Sequence, residues 1–290
     1  MDTIRLIRQQ KAPGRSGPEQ GMFVLQRALA SNLPEWLAIG GKLQPHDIPW
    51  YWHWDDAAEA ALRASTGRPV IVGPNILFRN SRKPRSTAEE QGVCDGPGCL
   101  ALVTESTWYA ELIRDQLCQF NRAQILVWPY PVELPEPSDH CNDEERYDVL
   151  IYRKSGCDDA TIESIWNRWP RCREIRYGSY RRQRLIDAAA RSRVCFYCSD
   201  DDRGPLALAE ILMTGCPAVG ISRGAPWIVD GVNGYQCDRL DNDGVLDALA
   251  RAMEVSRETA AMTAMEWFSP DRVAAQAVSL LGSLLEFSNT

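Results

Sequence analysis

Short apolar runs alternate along this chain with longer stretches whose apolar residues recur at helical spacing, and polar or glycine- and proline-bearing segments separate them. An unbroken apolar run bounded by turn residues predicts a strand buried on both faces, as in parallel sheets covered by helices. Val194–Cys198 is such a run, and strands are also expected at Ile4–Ile7, Trp36–Ile39, Pro69–Asn75, Leu100–Thr104, Ile125–Trp128, Tyr147–Tyr152, Glu174–Tyr177 and Pro217–Gly220. The helical period predicts helices over Met22–Leu29, Ala57–Ala64, Trp108–Cys118, Thr161–Trp169, Arg182–Ser192 and Leu206–Thr214. Two more follow, around Asp241–Val255 and over Pro270–Phe287. Strand and helix in regular alternation predict an α/β fold. Two segments break the rhythm. Arg79–Arg85 is strongly basic and leads into Ser86–Cys99, which its glycines mark as loop. Residues 135–146 are rich in prolines and acids without an apolar period, and read as a linker. The expected organisation is a domain over 1–134, a second over 147–269, and a closing segment over 270–290.

The stretch from Val194 to Tyr235 holds the densest set of signals. The strand run ends in a polar loop, Ser199-Asp200-Asp201-Asp202-Arg203-Gly204, and Pro205 then opens a helix, a position where its missing N–H costs nothing. Gly215 stops that helix, a second strand follows, and Gly231-Val232-Asn233-Gly234 makes a turn. This is a βαβ unit, and its loop lies at the carboxyl end of a strand, where such sheets bind ligands.

The same residues resemble the donor-binding segment of the GT-B glycosyltransferases, above all the group 1, retaining type. The resemblance rests on Asp202-x7-Glu210, the small-residue helix, Gly215-Cys216-Pro217-Ala218-Val219, and the Gly231–Tyr235 turn. It extends loosely to Pro129–Glu133, similar to the exit from that family's first domain, and to Trp267–Arg272, similar to the approach to a last helix that crosses back. Two Rossmann-like domains facing a cleft are implied. By the same resemblance Glu210 would hold the ribose hydroxyls of a nucleotide sugar, and Asp202 would lie near the transferred sugar. Gly204, Pro205 and Leu206 would line the donor. The sequence departs from the pattern in having Asp202 for the usual Glu and Pro205 for the usual Gly, and Asp201 could serve if the loop is re-registered.

Arg153 and Lys154 directly follow a strand. In the family a basic pair beyond that strand binds the donor phosphates, although its members are separated there. Cations near a leaving diphosphate meet its developing charge. The glycine-rich Pro13–Gly21 segment, with Gly14 and Gly17, resembles the family's loop facing the donor pyrophosphate, and helix-start amides can receive phosphate. His53, Asn75 and Glu19 are the candidates for the acceptor side. The aromatics around His53 (Trp50, Tyr51, Trp52 and Trp54) form either a sugar-stacking platform or part of the core.

Composition narrows the partners. A formal charge of -7 argues against a general polyanion-binding surface, although six arginines between Arg171 and Arg184 could line the donor site or solvate the surface. The start, MDTIRLIRQQK, has no signal-peptide core and no run is long enough for a membrane span, so a cytoplasmic protein with reduced thiols is expected. Ten cysteines are scattered without a disulfide framework. Cys195–Cys198 has redox or zinc spacing and Cys94–Cys99 is a looser pair, with His46, His53 and His140 the available histidines, but buried cysteine also acts as a small hydrophobe.

The expected function is transfer of a sugar, with retention, from a UDP- or GDP-sugar to an unidentified acceptor, without a tightly bound divalent metal. One rival is a metal-dependent GT-A-type transferase using Asp200 and Asp202. The other is a GT-B-like module that binds a sugar or nucleotide without chemistry.

Overall fold

A computed structural model describes residues 2–12, 17–75, 88–116, 123–135, 147–240 and 242–287. Gly14, Arg79–Arg85, Cys118, His140, Asp241 and the linker over 136–146 lie outside the described residues. The chain divides into two units, Met1–Pro131 with Pro270–Thr290, and Val132–Ser269.

In the first unit the elements run β1 (Thr3–Leu6), α1 (Gly17–Ser31), β2 (Leu37–Ile39), β3 (Asp47–His53), α2 (Ala57–Ser65) and β4 (Val70–Asn75). They continue with α3 (Ala88–Asp95), β5 (Cys99–Thr104), α4 (Thr107–Gln116) and β6 (Gln124–Val127). The six strands pair in parallel in the order β2-β1-β3-β4-β5-β6. Trp50, Tyr51 and Trp52 of β3 are buried, and the Trp50 indole N–H donates to the Gly73 carbonyl at 2.8 Å. These three aromatics are core, so the sugar-platform alternative does not hold for them.

Part of the segment expected as loop over Ser86–Cys99 is the helix α3. Gly96, just past its end, is a contact point: a Cβ there would come within 2.5 Å of Ala64, whereas one on Gly92 would meet Ala61 at an ordinary 3.5 Å. Glycine here allows two helices to approach closely, a use that a turn-based reading of glycine misses.

The second unit runs β7 (Tyr147–Arg153), α5 (Asp159–Arg168), β8 (Cys172–Arg176), α6 (Arg182–Ala190), β9 (Ser192–Cys198) and α7 (Leu206–Met213). After these come β10 (Ala218–Gly220), β11 (Gly234–Gln236), α8 (Asn242–Ala252) and α9 (Arg257–Phe268). Its parallel sheet has the order β11-β10-β9-β7-β8. The helix α9 had no expected counterpart; Ser256 caps it, its hydroxyl accepting from the Thr259 amide at 3.3 Å. Last comes α10 (Pro270–Phe287), which packs on α1 in the first unit, with Gln276 Nε2 donating to the Val127 carbonyl at 3.1 Å.

Strand alternation divides the second unit's core into two layers. Leu150, Tyr152, Cys195 and Tyr197 face one cluster, whereas Val149, Ile151, Val194, Phe196 and Cys198 face the other. Cys195 and Cys198 therefore point to opposite faces and cannot share a metal or a disulfide, which removes the zinc or redox reading of that pair. Cys94 and Cys99 are packed among apolar residues of the first unit. Among the described residues no helix is long and apolar enough to cross a membrane.

Candidate functional site

The chain leaves β7 for β8 on one side of the second sheet and returns to β9 on the other. Loops diverge at such a switch point and open a crevice beyond the strand ends. Arg153 and Cys198, the last residues of β7 and β9, are register partners. Immediately beyond, the amides of Lys154 and Ser155 both donate to the Cys198 carbonyl, at 2.9 and 3.1 Å.

Successive strand residues face opposite ways, and this separates the two adjacent cations. Arg153 continues the Val149/Ile151 side, where it binds Asp159 at 2.6 Å and lies 3.9 Å from Glu174. Lys154 continues the Leu150/Tyr152 side, with its Nζ 2.5 Å from Asp202 Oδ2 and 5.0 Å from the centroid of the Tyr177 ring. Only Lys154 is thus brought to Asp202.

Asp202 is held from below as well. The Tyr197 hydroxyl donates to its Oδ2 at 3.1 Å, and the Tyr197 ring stacks on its register partner Tyr152 at 4.9 Å and 15°. The hydroxyls of Tyr152 and Tyr180 are 3.1 Å apart. Burial is the largest cause raising all three phenols: Tyr152 and Tyr197 go far above the ordinary value, and Tyr180 is pushed up to about 12. They remain protonated donors at neutral pH. Asp200 turns elsewhere, its carboxylate accepting from the Ser155 hydroxyl. The crossing is possible because Gly156 sits at φ +77, with room for no Cβ: one placed there would be 2.5 Å from that of Asp200. Asp200 and Asp202 therefore serve different partners, on a scaffold unlike that of the metal-dependent alternative. Among the described residues no group of three or more His, Cys, Asp or Glu is placed to hold a metal ion.

Pro205 is the N-cap of α7, and with φ -72 and ψ 81 it lets the Leu206 amide donate to the Gly204 carbonyl at 2.8 Å. This inverse γ-turn engages the amide of Leu206, a residue expected to line the donor. One further turn along α7, Glu210 is 3% exposed and its Oε1 accepts from Arg182 Nε at the start of α6. Arg182 also donates to the Glu133 carbonyl at 2.6 Å. Burial raises the Glu210 pKa, while the charge and hydrogen bond of Arg182 pull it partly back. The carboxylate expected on ribose hydroxyls is here bound to an arginine. The Gly231–Gly234 turn is built on buried Asn233, whose side chain accepts from the Val229 amide at 2.7 Å and donates to the Trp227 carbonyl at 3.0 Å.

In the first unit, His53 and Asn75 are register partners at the ends of β3 and β4. The Asp55 amide donates to His53 Nδ1 at 3.3 Å, and the Asp55 carboxylate is 3.2 Å from the same nitrogen. Arg8, beyond β1, reaches both Asp55 and Asp56, at 3.4 and 2.9 Å. Gly17 and Glu19 lie in the first turn of α1. Sequence reasoning missed Tyr152, Tyr180, Tyr197 and Arg182. Arg182 belongs to a noted run of arginines but nothing local distinguishes it, and the tyrosines meet only through strand register.

No protein-family model and no curated protein sequence matches this chain. Solved structures do. AviGT4, a glycosyltransferase involved in avilamycin A biosynthesis, is 15% identical with a TM-score of 0.54, the match covering 98% of each chain. Sucrose-phosphate synthase from Thermosynechococcus elongatus is 12% identical with a TM-score of 0.65, over 99% of this chain and 100% of its own. HepE of Anabaena, solved with UDP and glucose, is 11% identical with a TM-score of 0.65, over 98% of this chain and 100% of its own. At these identities the likeness is one of fold, and the fold is GT-B.

Proposed function

We propose that this GT-B chain is a glycosyltransferase that moves a sugar from a UDP- or GDP-sugar to an acceptor hydroxyl, with retention of anomeric configuration. The observation that carries the reading is the meeting of Lys154 and Asp202 at the switch point of the second sheet, with Glu210 on the same side. Lys154 would stabilise the diphosphate as it leaves, and Asp202, oriented by Tyr197, would accept hydrogen bonds from the sugar. Glu210 would accept from the ribose hydroxyls, sharing its carboxylate with Arg182. A fixed cation and fixed dipoles at a developing charge act without reorganisation, so the reading assigns charge neutralisation to Lys154 without calling on a divalent metal. His53, Asn75 and Glu19 are assigned to the acceptor.

The pairing of Lys154, Arg153 and Glu210 with protein partners favours one second reading, a module that binds a nucleotide sugar and does not turn it over. The test is a screen of UDP- and GDP-sugars by thermal shift, followed by donor hydrolysis and transfer assays with and without chelator. A ligand bound only by the native state raises its stability. The expected result is stabilisation by one nucleotide sugar, chelator-resistant turnover, and loss of about a hundredfold in turnover in Lys154→Met, the scale of removing one preorganised electrostatic contact. Donor binding without hydrolysis or transfer would select the second reading, and no binding by any nucleotide sugar would overturn both.

A further inference from the structure

The amino ends of the first unit's strands surround a cavity that the donor reading does not use. Its volume is about 930 Å³, and its wall takes in the β2–β3 loop, the start of β3, the end of α2 and the turn into β4. That is room for a small organic ligand. The strands β3 and β4 begin here and end at His53 and Asn75, so the cavity lies at the opposite edge of the sheet from those residues.

Two arginines fix its frame. Arg5 Nε is 2.5 Å from Asp47 Oδ2, and its Nη1 donates to the Gly40 carbonyl at 2.8 Å, so Arg5 clamps both ends of the β2–β3 loop. The same Asp47 oxygen accepts from the Gln44 amide at 2.7 Å, which holds the turn between. Arg63 of α2 donates from Nε to the Pro69 carbonyl at 2.9 Å and from Nη2 to the Asp47 carbonyl at 3.2 Å. Both acceptors are neutral and take two of its five N–H groups, so a guanidinium stands fixed in the wall with its charge unanswered. Lys42 and Arg68 lie exposed at the same wall, and among the described residues neither makes an ion pair or a side-chain hydrogen bond. Of the carboxylates in the wall, Asp47 is taken by Arg5, which leaves Asp2 against three cations and His46.

We propose that this cavity binds a small phosphorylated molecule, its phosphate held by Arg63, Arg68 and Lys42. A guanidinium fixed beforehand presents forked N–H groups to phosphate oxygens, and the two mobile cations close on the remaining charge. Leu43, Pro45 and Ile48 complete the wall, which suits the carbon skeleton of a ligand more than a bare ion. With a formal charge of -7 the chain as a whole repels an extended anionic surface, so a local excess of positive charge favours a small ligand over a membrane.

The site needs no assumption about the reaction this chain carries out. The test measures binding of glucose 6-phosphate and inorganic phosphate to the full chain by calorimetry and thermal shift, with glucose and sodium chloride at matched ionic strength as controls. Glucose 6-phosphate is expected to bind and stabilise, glucose is not, and hydrogen exchange should slow over residues 42–48 and 63–69. Lys42→Ala combined with Arg68→Ala should weaken binding by tenfold or more, as for lost hydrogen bonds to a charged group, and leave unliganded unfolding unchanged because neither side chain has a protein partner. Lys154→Met should bind glucose 6-phosphate as the unsubstituted chain does. No binding of either phosphate, or equal binding by the double variant, would overturn the site. A loss confined to Lys154→Met would assign the phosphate to the donor edge of the second unit and overturn it too. Cosedimentation with phosphatidic acid vesicles, without binding of either free phosphate, would assign the cations to a membrane instead.

Discussion

The carboxyl edges of the two sheets carry similar charges in different settings. In the first unit Arg8 meets Asp55 and Asp56 with 41% of its side chain in solvent. In the second, the cations of Lys154–Asp202 and Arg182–Glu210 are 25% and 33% exposed and their carboxylates 10% and 5%; Asp56 matches these at 11%, and it is Asp55, at 39%, that stands in water. Water screens the Arg8–Asp55 pair and leaves it adaptable, whereas the second unit's pairs sit where an electrostatic contact is strong and a missing partner is costly. A preformed charged site can be built only where the fold supplies buried donors, and the stacked tyrosines do so in the second unit alone among the described residues.

Substitutions should expose this difference in graded fashion. Glu210→Ala leaves Arg182 without its carboxylate and is expected to cost about 3 kcal/mol, the low end for breaking a buried pair because Arg182 is partly exposed. Urea unfolding measures it, and a cost near zero would mean that the pair is no more than a surface contact. Tyr197→Phe removes one donor from Asp202 and should cost about 1.5 kcal/mol, as for a hydrogen bond to a charged group, together with a weaker response to donor.

The pH dependence of two carboxylates should run in opposite directions. Glu210 has a raised native pKa, mainly from burial, so the native state holds its proton longer than the unfolded chain, and its contribution falls as pH rises from the ordinary carboxylate value through the raised one. For Asp47 burial is outweighed by Arg5 and the Gln44 amide, which lower its native pKa; its contribution is present above about 3.8 and lost as pH falls through the native value. Carboxyl carbon NMR titration of the two residues decides this, and parallel shifts would contradict the contrast. The smallest effect belongs to Asp55→Ala, under about 1 kcal/mol by unfolding, since its pair with Arg8 is exposed on both sides and such pairs contribute little. A larger loss would place the Arg8 cluster with the buried pairs of the second unit.

What the sequence revealed was whatever is encoded locally. Val194–Cys198 reads as a strand because consecutive apolar side chains fill both faces, and the structure extends it only to Ser192–Cys198. Pro270–Phe287 appears with the same limits because its apolar stripe has a helical period throughout. Reading failed where a residue's role depends on a partner distant in the chain. Gly92 and Gly96 signalled loop, yet Gly92 lies within a helix and Gly96 permits close contact with Ala64, and that requires knowing where α2 lies. Lys154 and Asp202 were each singled out, but their contact spans 48 positions and follows from the pairing of β7 with β9. The same pairing creates the Tyr152–Tyr197 stack.

The stacked pair has one more consequence. Because its two rings are anchored on neighbouring strands of the sheet interior, the aim of Asp202 is tied to the stiffest part of its unit rather than to the loop that bears it. A change as remote as Tyr152→Leu should therefore tilt that aim without touching a charged atom, so the interior of the sheet acts as the mount on which the reactive edge is aligned.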